Sequence, residues 1–545
     1  MIRTISLIIV ALMLQACFEL DSLETISDKA SYEPGKVPAT AYLEQKEVYN
    51  PESVIPPQCY TKTEGKNNPC YACHQSYSRS ENRSNMMSDG DLQGNYEFSE
   101  VGETNSWKNL FVDRTAIIAG ISNEHILNWI KDDNYQPFVK TLEQNKSHLV
   151  IDNLAEPAKA FGENGVAKDG SHWIAFNYKP FPSTFWPTNG STGDAMIRLP
   201  KAFREIKGEY SFDVYFANLG LVELTMKGLE KVSVPEISEQ AIQQDLNGNG
   251  VLEQNISEIV KQDSYVGDAS STPLTDMLYP ENTEFLHTVR YLGVDENGNI
   301  YNAQRMKEVR YMKKHGFKSR NRLKTAYMLE AKEKLAETLP KTINLGKRGI
   351  DNGFGWTING YIESADGKLR QQQHQELAFC NGCHKTVGST IDQTFSFPRK
   401  LAGAKGWGYI DLTKMNDAPS VGEQQGEFLT YFERVGGGDE FRQNKEMLAK
   451  WFNQDGSVNK QKVAEVDSLY QLIMPSKDRA IDLNKAYYSI VQEQSYIFGR
   501  DATLAKATNV LEVIDTEQPP LLPEHQHSFD IRLNWQQQPE QTREN

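Results

Sequence analysis

Two segments of this chain carry the same spacing of sulfur and imidazole: Cys70-Tyr71-Ala72-Cys73-His74 and, far downstream, Cys380-Asn381-Gly382-Cys383-His384. Together they hold four of the six cysteines. Two thiols three positions apart lie on one side of a helical turn, so both sulfurs can reach the two vinyl groups of one protoporphyrin, and the adjacent histidine can offer iron an axial imidazole. Chance is a poor rival, because this composition yields about 0.001 such matches per chain. A thioredoxin-like redox pair does not call for histidine next to it twice, and a shared zinc site would prefer four converging thiolates.

On these two motifs the sequence resembles the c-type cytochromes. The resemblance covers the motifs and their flanks and implies two covalent haem c groups, with Cys70, Cys73 and His74 holding one and Cys380, Cys383 and His384 the other. His74 and His384 would ligate the irons. The opposite axial position decides between an inert carrier and an open site. Met86, Met87, His125 and His148 are candidates for the first group; Met415, Met474, His374, His525 and His527 for the second. Met474 sits in an apolar helical pattern typical of core, and His374 lies close to the motif itself. Cys59 is left over as a buried thiol, an intermolecular disulfide partner or a thiolate ligand to haem.

The N-terminus has the proportions of a secretory address: Arg3, an apolar stretch from Ile5 to Leu14, then Ala16 before Cys17. Leu14-Gln15-Ala16-Cys17 resembles the lipobox of bacterial lipoproteins. That implies removal of residues 1–16, lipidation of Cys17 and attachment of the mature chain to a membrane surface. Phe18, where inner-membrane lipoproteins often carry Asp, favours the outer membrane and leaves the face open. Residues 17–57 are polar and proline-punctuated, a tether.

The elements that would position the motifs must come from several domains, since 545 residues exceed one ordinary core. We expect a first haem-binding region at 58–160, a β-containing middle domain at 161–340, a mainly helical second haem-binding region at 341–515 and a Pro/Gln-rich tail at 516–545. The fold class is then α+β and multidomain, with helical c-type haem-binding segments around the β-containing domain. Phe212–Leu224 and the stretch from Phe285 past an Asn-Gly turn look strand-like, and DSLYQLIM and KAYYSIVQEQSYIF look helical. HWIAFNYKPFPSTFWPTNGSTGD from His172 has the composition of an irregular packed loop that could line a pocket. Asp245-Leu-Asn247-Gly-Asn249-Gly-Val251 resembles the start of an EF-hand loop and makes Asp245, Asn247, Asn249 and Val251 candidate calcium ligands, although Ile256 stands where a bidentate Glu belongs.

Net charge is −15, which argues against a nucleic-acid role. Against that background the stretch Arg305–Lys324 is basic, with Glu308 its only acid. It reads as the solvated face of a helix, or as a cationic surface for an anionic substrate, an acidic redox partner or haem propionates. The expected function is one-electron transfer between redox partners of the cell envelope by a lipid-anchored dihaem protein. The alternatives are a dihaem oxidoreductase, peroxidase-like or sulfur-oxidising, with one catalytic haem, and a surface binding or scaffolding lipoprotein.

Overall fold

The computed structural model of the chain describes residues 57–62, 104–144, 149–182, 186–323, scattered positions between 325 and 336, then 343–385, 391–513 and 530–536. Helices and sheets are both present, so the fold is α+β.

In chain order the strands are β1 (Ile174–Phe176), β2 (Thr192–Arg198), β3 (Glu205–Ile206), β4 (Glu209–Tyr210), β5 (Lys231–Ile237), β6 (Ile256–Val260), β7 (Glu284–Val294), β8 (Ile300–Lys314), β9 (Ile343–Asn344), β10 (Ile350–Asp351), β11 (Trp356–Glu363) and β12 (Leu369–Gln371). Eight of them form one antiparallel sheet in the order β1-β2-β7-β8-β11-β10-β9, with β12 beside β11. Its spine is the β7–β8 hairpin anticipated from the Asn-Gly signal. Asp295 donates to the Asn299 carbonyl at 3.0 Å, Gly298 donates back to Asp295 at 3.1 Å, and Gly298 takes the left-handed conformation (φ 85°) that such a turn needs.

The boundary expected at residue 340 does not divide this sheet: β9 to β12 lie beyond it in sequence yet complete the sheet through β11 against β8. The ends of the chain are drawn in as well. Thr61 bridges to Val510 and Thr104 to Val513, while Tyr60, Trp107 and Leu110 share a cluster with Phe441, Ala507 and Val510. Within the Pro/Gln-rich tail, Ile531 and Leu533 are buried and Ser420 bridges to Leu533.

Phe212–Leu224 is not a strand. It belongs to the helix Phe212–Lys227, of which fourteen of sixteen residues are buried. Ser211 caps the start by accepting from the Val214 amide, and Gly228 ends it in the left-handed region (φ 65°). A helix that is apolar all round lacks the one-sided 3.6-residue pattern, so its aromatic and β-branched content imitates a buried strand. It packs on one face of the large sheet, in the cluster containing Ile197, Phe285, Met312, Trp356 and Ile358. Helices Asn123–Lys131 and Lys477–Glu493 pack elsewhere against β7 and β8, sharing a cluster with Tyr291, Leu292 and Ile300. Asn484 clamps the Leu292 backbone at both N–H (3.1 Å) and C=O (2.8 Å).

The basic run is also corrected. Arg305, Lys307, Arg310 and Lys314 lie on β8, and all but Arg310 are almost wholly buried. Each has a specific partner. Arg305 pairs with Glu363 and with Asp132 (2.9 Å), and Arg310 with Glu308 (2.9 Å). Lys314 pairs with Asp392 (2.5 Å), and Lys307 donates to the Gly190 carbonyl (2.5 Å) with its ammonium 4.1 Å from the Tyr487 ring centroid. Buried charges survive only when paired in this way.

Candidate functional site

The second motif closes a short helical segment. Helix His374–Ala378 begins with a capping box between Gln373 and Glu376, and Arg370 grips the Glu376 carboxylate through two nitrogens (2.9 and 2.8 Å). The chain continues through Cys380 into Asn381–His384, where the Cys383 amide (3.3 Å) and the His384 amide (2.9 Å) both donate to the Cys380 carbonyl. The five motif residues therefore form one turn, the geometry expected of them. Neither Cys380 nor Cys383 forms a disulfide among the described residues. Burial pushes the Cys380 thiol pKa up despite Arg500 and Arg310 nearby, so the sulfur stays protonated, unlike the thiolate of a redox-active pair.

The His384 ring is held from one side. Its Nδ1 lies 2.7 Å from the carbonyl oxygen of Gln393. Burial, partly opposed by that hydrogen bond, lowers its pKa to about 4, so the imidazole is neutral at pH 7. With Nδ1–H donating to the carbonyl, the lone pair resides on Nε2, the tautomer in which histidine ligates metals. Phe395 meets the ring edge-on at 5.7 Å.

What holds Gln393 in place is the corrected basic run. Asp392 and Gln393 both have positive φ (47° and 56°), a conformation costing non-glycine residues about 1–3 kcal/mol each. Asp392 offsets that cost by accepting from Lys314 Nζ (2.5 Å), the Tyr279 amide (2.9 Å) and Trp356 Nε1 (3.2 Å).

The sheet supplies another group of residues. In register across it stand Phe176, Ala195, His287, Arg310 and Gly360, one from each of β1, β2, β7, β8 and β11. Residues paired in this way share a face. Gly360 belongs to this row and Gly193 lies two residues before Ala195 on β2; a Cβ on Gly193 would lie 2.0 Å from the Thr288 carbonyl, and one on Gly360 would lie 2.8 Å from the Gln372 amide. Cys380, Cys383, His384, His287, Phe181 and Phe395 each keep part of their surface although their segments are otherwise buried.

His287 was not singled out from sequence, because one histidine in an apolar strand resembles any core histidine. Its Nε2 lies 3.4 Å from the Tyr178 hydroxyl. Burial first, then Arg310, lower its pKa to about 3, so this imidazole is neutral. Tyr178 and Phe181 come from the aromatic loop. Arg399 fixes that loop by donating to the Lys179 and Pro180 carbonyls at 3.0 Å each while pairing with Glu427.

Glu308 anchors the cluster beside Cys380. Burial alone would raise its pKa, but Arg310 and Arg500 hold it at about 2, each 2.9 Å from the carboxylate, with the Gln372 amide at 3.1 Å. Of the other axial candidates, Met415 is core and Met474 packs partly buried against two clusters. His125 is exposed beside Trp129, and His374 lies on the motif's own helix.

The 245–256 loop is closed by its own bonds. The Asp245 carboxylate accepts from the Gly248 and Gly250 amides (2.7 Å each), and the Asn247 and Asn249 amides both donate to Glu253 (2.7 Å). Val251 is exposed and its amide donates to Asn249 (2.8 Å). Among the described residues no group of three or more His, Cys, Asp or Glu side chains could hold a metal ion. Cys17, Cys70, Cys73, His74, Met86, Met87, His148, His525 and His527, as well as the Cys59 side chain, lie outside the described residues.

No helix among the described residues is long and apolar enough to cross a membrane. No solved structure matches the chain. A family model whose description ends in "-like lipoprotein" matches residues 43–471. The chain is 32% identical over 539 residues to an uncharacterized lipoprotein of Aquifex aeolicus (strain VF5), covering 86% of this chain and 90% of that relative. These matches overturn the expected membership of the c-type cytochromes, whose likeness ends at the two short motifs. The chain belongs to this lipoprotein family.

Proposed function

We propose that this lipoprotein is anchored outside the cytoplasm through Cys17, on the outer membrane, and passes single electrons between envelope redox partners using haem joined covalently to its Cys-x-x-Cys-His segments. The observation that carries the reading is the His384 Nδ1 contact with the Gln393 carbonyl, which leaves Nε2 as the lone-pair nitrogen on the same turn as Cys380 and Cys383. The residues fit such a group in kind. Cys380 and Cys383 would bond it, His384 would ligate its iron, and Phe181 and Phe395 would border it. When bound, haem supplies a reversible one-electron couple. The chain's part is to hold the imidazole neutral and fixed, to exclude most water and to set the local charge through Glu308, Arg310 and Arg500. Cys70, Cys73 and His74 are assigned the same role on their spacing.

The test is mass analysis of full-length protein produced with export and haem-maturation machinery. Peptides spanning 380–384 and 70–74 are expected to carry one tetrapyrrole each, retained after acid-acetone extraction and giving a pyridine haemochrome. Cys380→Ser with Cys383→Ser should remove one equivalent. A mature chain bearing only free thiols would reject the reading.

A further inference from the structure

Six of the ten histidines lie among the described residues. His125 is exposed beside Trp129, His172 stacks on Tyr210, His315 pairs with Asp351 at 2.9 Å, and His374 starts the motif's own helix. That leaves His384 and His287. These two come from different parts of the fold, the motif turn and the centre of the large sheet, and both border the aromatic loop: His287 meets Tyr178, and His384 meets Phe395, which packs on Phe181.

The surroundings of His287 are unusual for a histidine kept only for packing. His287 is half-buried, and among the described residues its ring makes a single hydrogen-bond contact, the long 3.4 Å approach to Tyr178. Its strand neighbours are minimal in size, Ala195 directly paired on β2 and Gly193 two residues away, with Gly360 beyond Arg310 on β11. The absent side chain of Gly193 leaves its place to the His287 ring, whose Nε2 lies 3.2 Å from where a Cβ would stand. Arg310 stands paired with His287 across β7 and β8. An imidazole with an under-used nitrogen is a metal ligand in waiting.

We propose that His287 is the second axial ligand of the iron held at Cys380, Cys383 and His384, so that this centre is closed by two imidazoles. The inference rests on the proposed function and deepens it: an iron saturated by two histidines transfers electrons and does not bind exogenous ligands. Tyr178 then acts as a positioning residue that borders the ring.

The experiment uses the full-length, haem-loaded protein, with haem content at 380–384 read first by peptide mass. Absence of haem there overturns the functional reading itself, before any spectrum is taken. With haem present, low-temperature EPR of the parent should show that centre low-spin and closed to carbon monoxide. His287→Ala should turn one haem equivalent high-spin and CO-reactive with unchanged haem mass, and added imidazole should restore the low-spin signal. His287→Met, which keeps a ligand should the smaller residue fail to fold, is expected to remain low-spin with a more positive reduction potential. A His287→Ala protein with the parent's spin state and CO inertness would overturn the assignment, as would a high-spin, CO-binding centre in the parent.

Discussion

The buried ammonium of Lys314 and the carboxylate of Asp392 meet at 2.5 Å, each side chain 1% exposed, and this pair joins the large sheet to the turn that orients His384. The same turn bears the Gln393 carbonyl, so an ion pair remote from the thiols fixes the imidazole.

Removing one partner of this pair leaves an uncompensated buried charge, which costs about 3–5 kcal/mol. Asp392→Ala is therefore expected to destabilise the chain by that amount in urea unfolding. Asp392→Asn, which tolerates the positive φ and retains acceptor contacts, should cost less. A loss below about 1 kcal/mol for the alanine variant, the range of exposed pairs, would show that the pair does not hold the turn.

The reassignment of the basic run makes a second expectation. Arg305→Met strips partners from Glu363 and Asp132 and should cost about 2–4 kcal/mol, limited because Glu363, pushed up to about 7 by burial, can take up a proton. Lys313→Ala, half-buried on the same strand with no ion pair among the described residues, should stay within about 0.5 kcal/mol. Equal, small effects at both positions would restore the solvated-face reading.

Asp439 gives a pH dependence with a definite sign. It is buried at φ 64°, accepts from the Asn189 amide at 2.8 Å, and burial raises its pKa from 3.8 to about 7. The folded state thus binds a proton that the unfolded state releases, so stability falls as pH rises from about 4 to 7. Asp439→Asn keeps the acceptor and suits a left-handed backbone. Relative to the parent it should be close to neutral at pH 4 and more stable by a few kcal/mol at pH 8. A difference in melting temperature that does not change between those pH values would show that Asp439 does not titrate as described.

The packing around His287 can be tested at two glycines on the same face. A methyl on Gly193 would meet the Thr288 backbone carbonyl, which cannot step aside, whereas one on Gly360 meets the end of the flexible Gln372 side chain. Gly193→Ala should cost about 1–3 kcal/mol and Gly360→Ala less. The reverse order in thermal unfolding would contradict the packing of this face.

Much of the local chemistry was legible in the sequence. The motif turn, the β7–β8 hairpin with its Asn-Gly reversal and the helices Leu469–Ile473 and Lys477–Glu493 all follow from spacing, turn residues and periodicity, which act between near neighbours. The helix Phe212–Lys227 was misread because a segment buried on every side loses the one-sided pattern that sequence arguments use. The charges of β8 were misread for a related reason. Charge runs are normally solvated, and nothing near Arg305 or Lys314 in the chain announces Glu363 or Asp392.

What the residues alone determined is the motif itself, two thiols and an imidazole on one turn, together with the apolar N-terminal stretch ending in Leu14-Gln15-Ala16-Cys17. Only the tertiary structure decided which nitrogen of His384 carries the lone pair and that His287 stands beside Arg310 and Tyr178. Both depend on groups that antiparallel pairing and burial bring together from distant parts of the chain, and no local spacing encodes such a meeting.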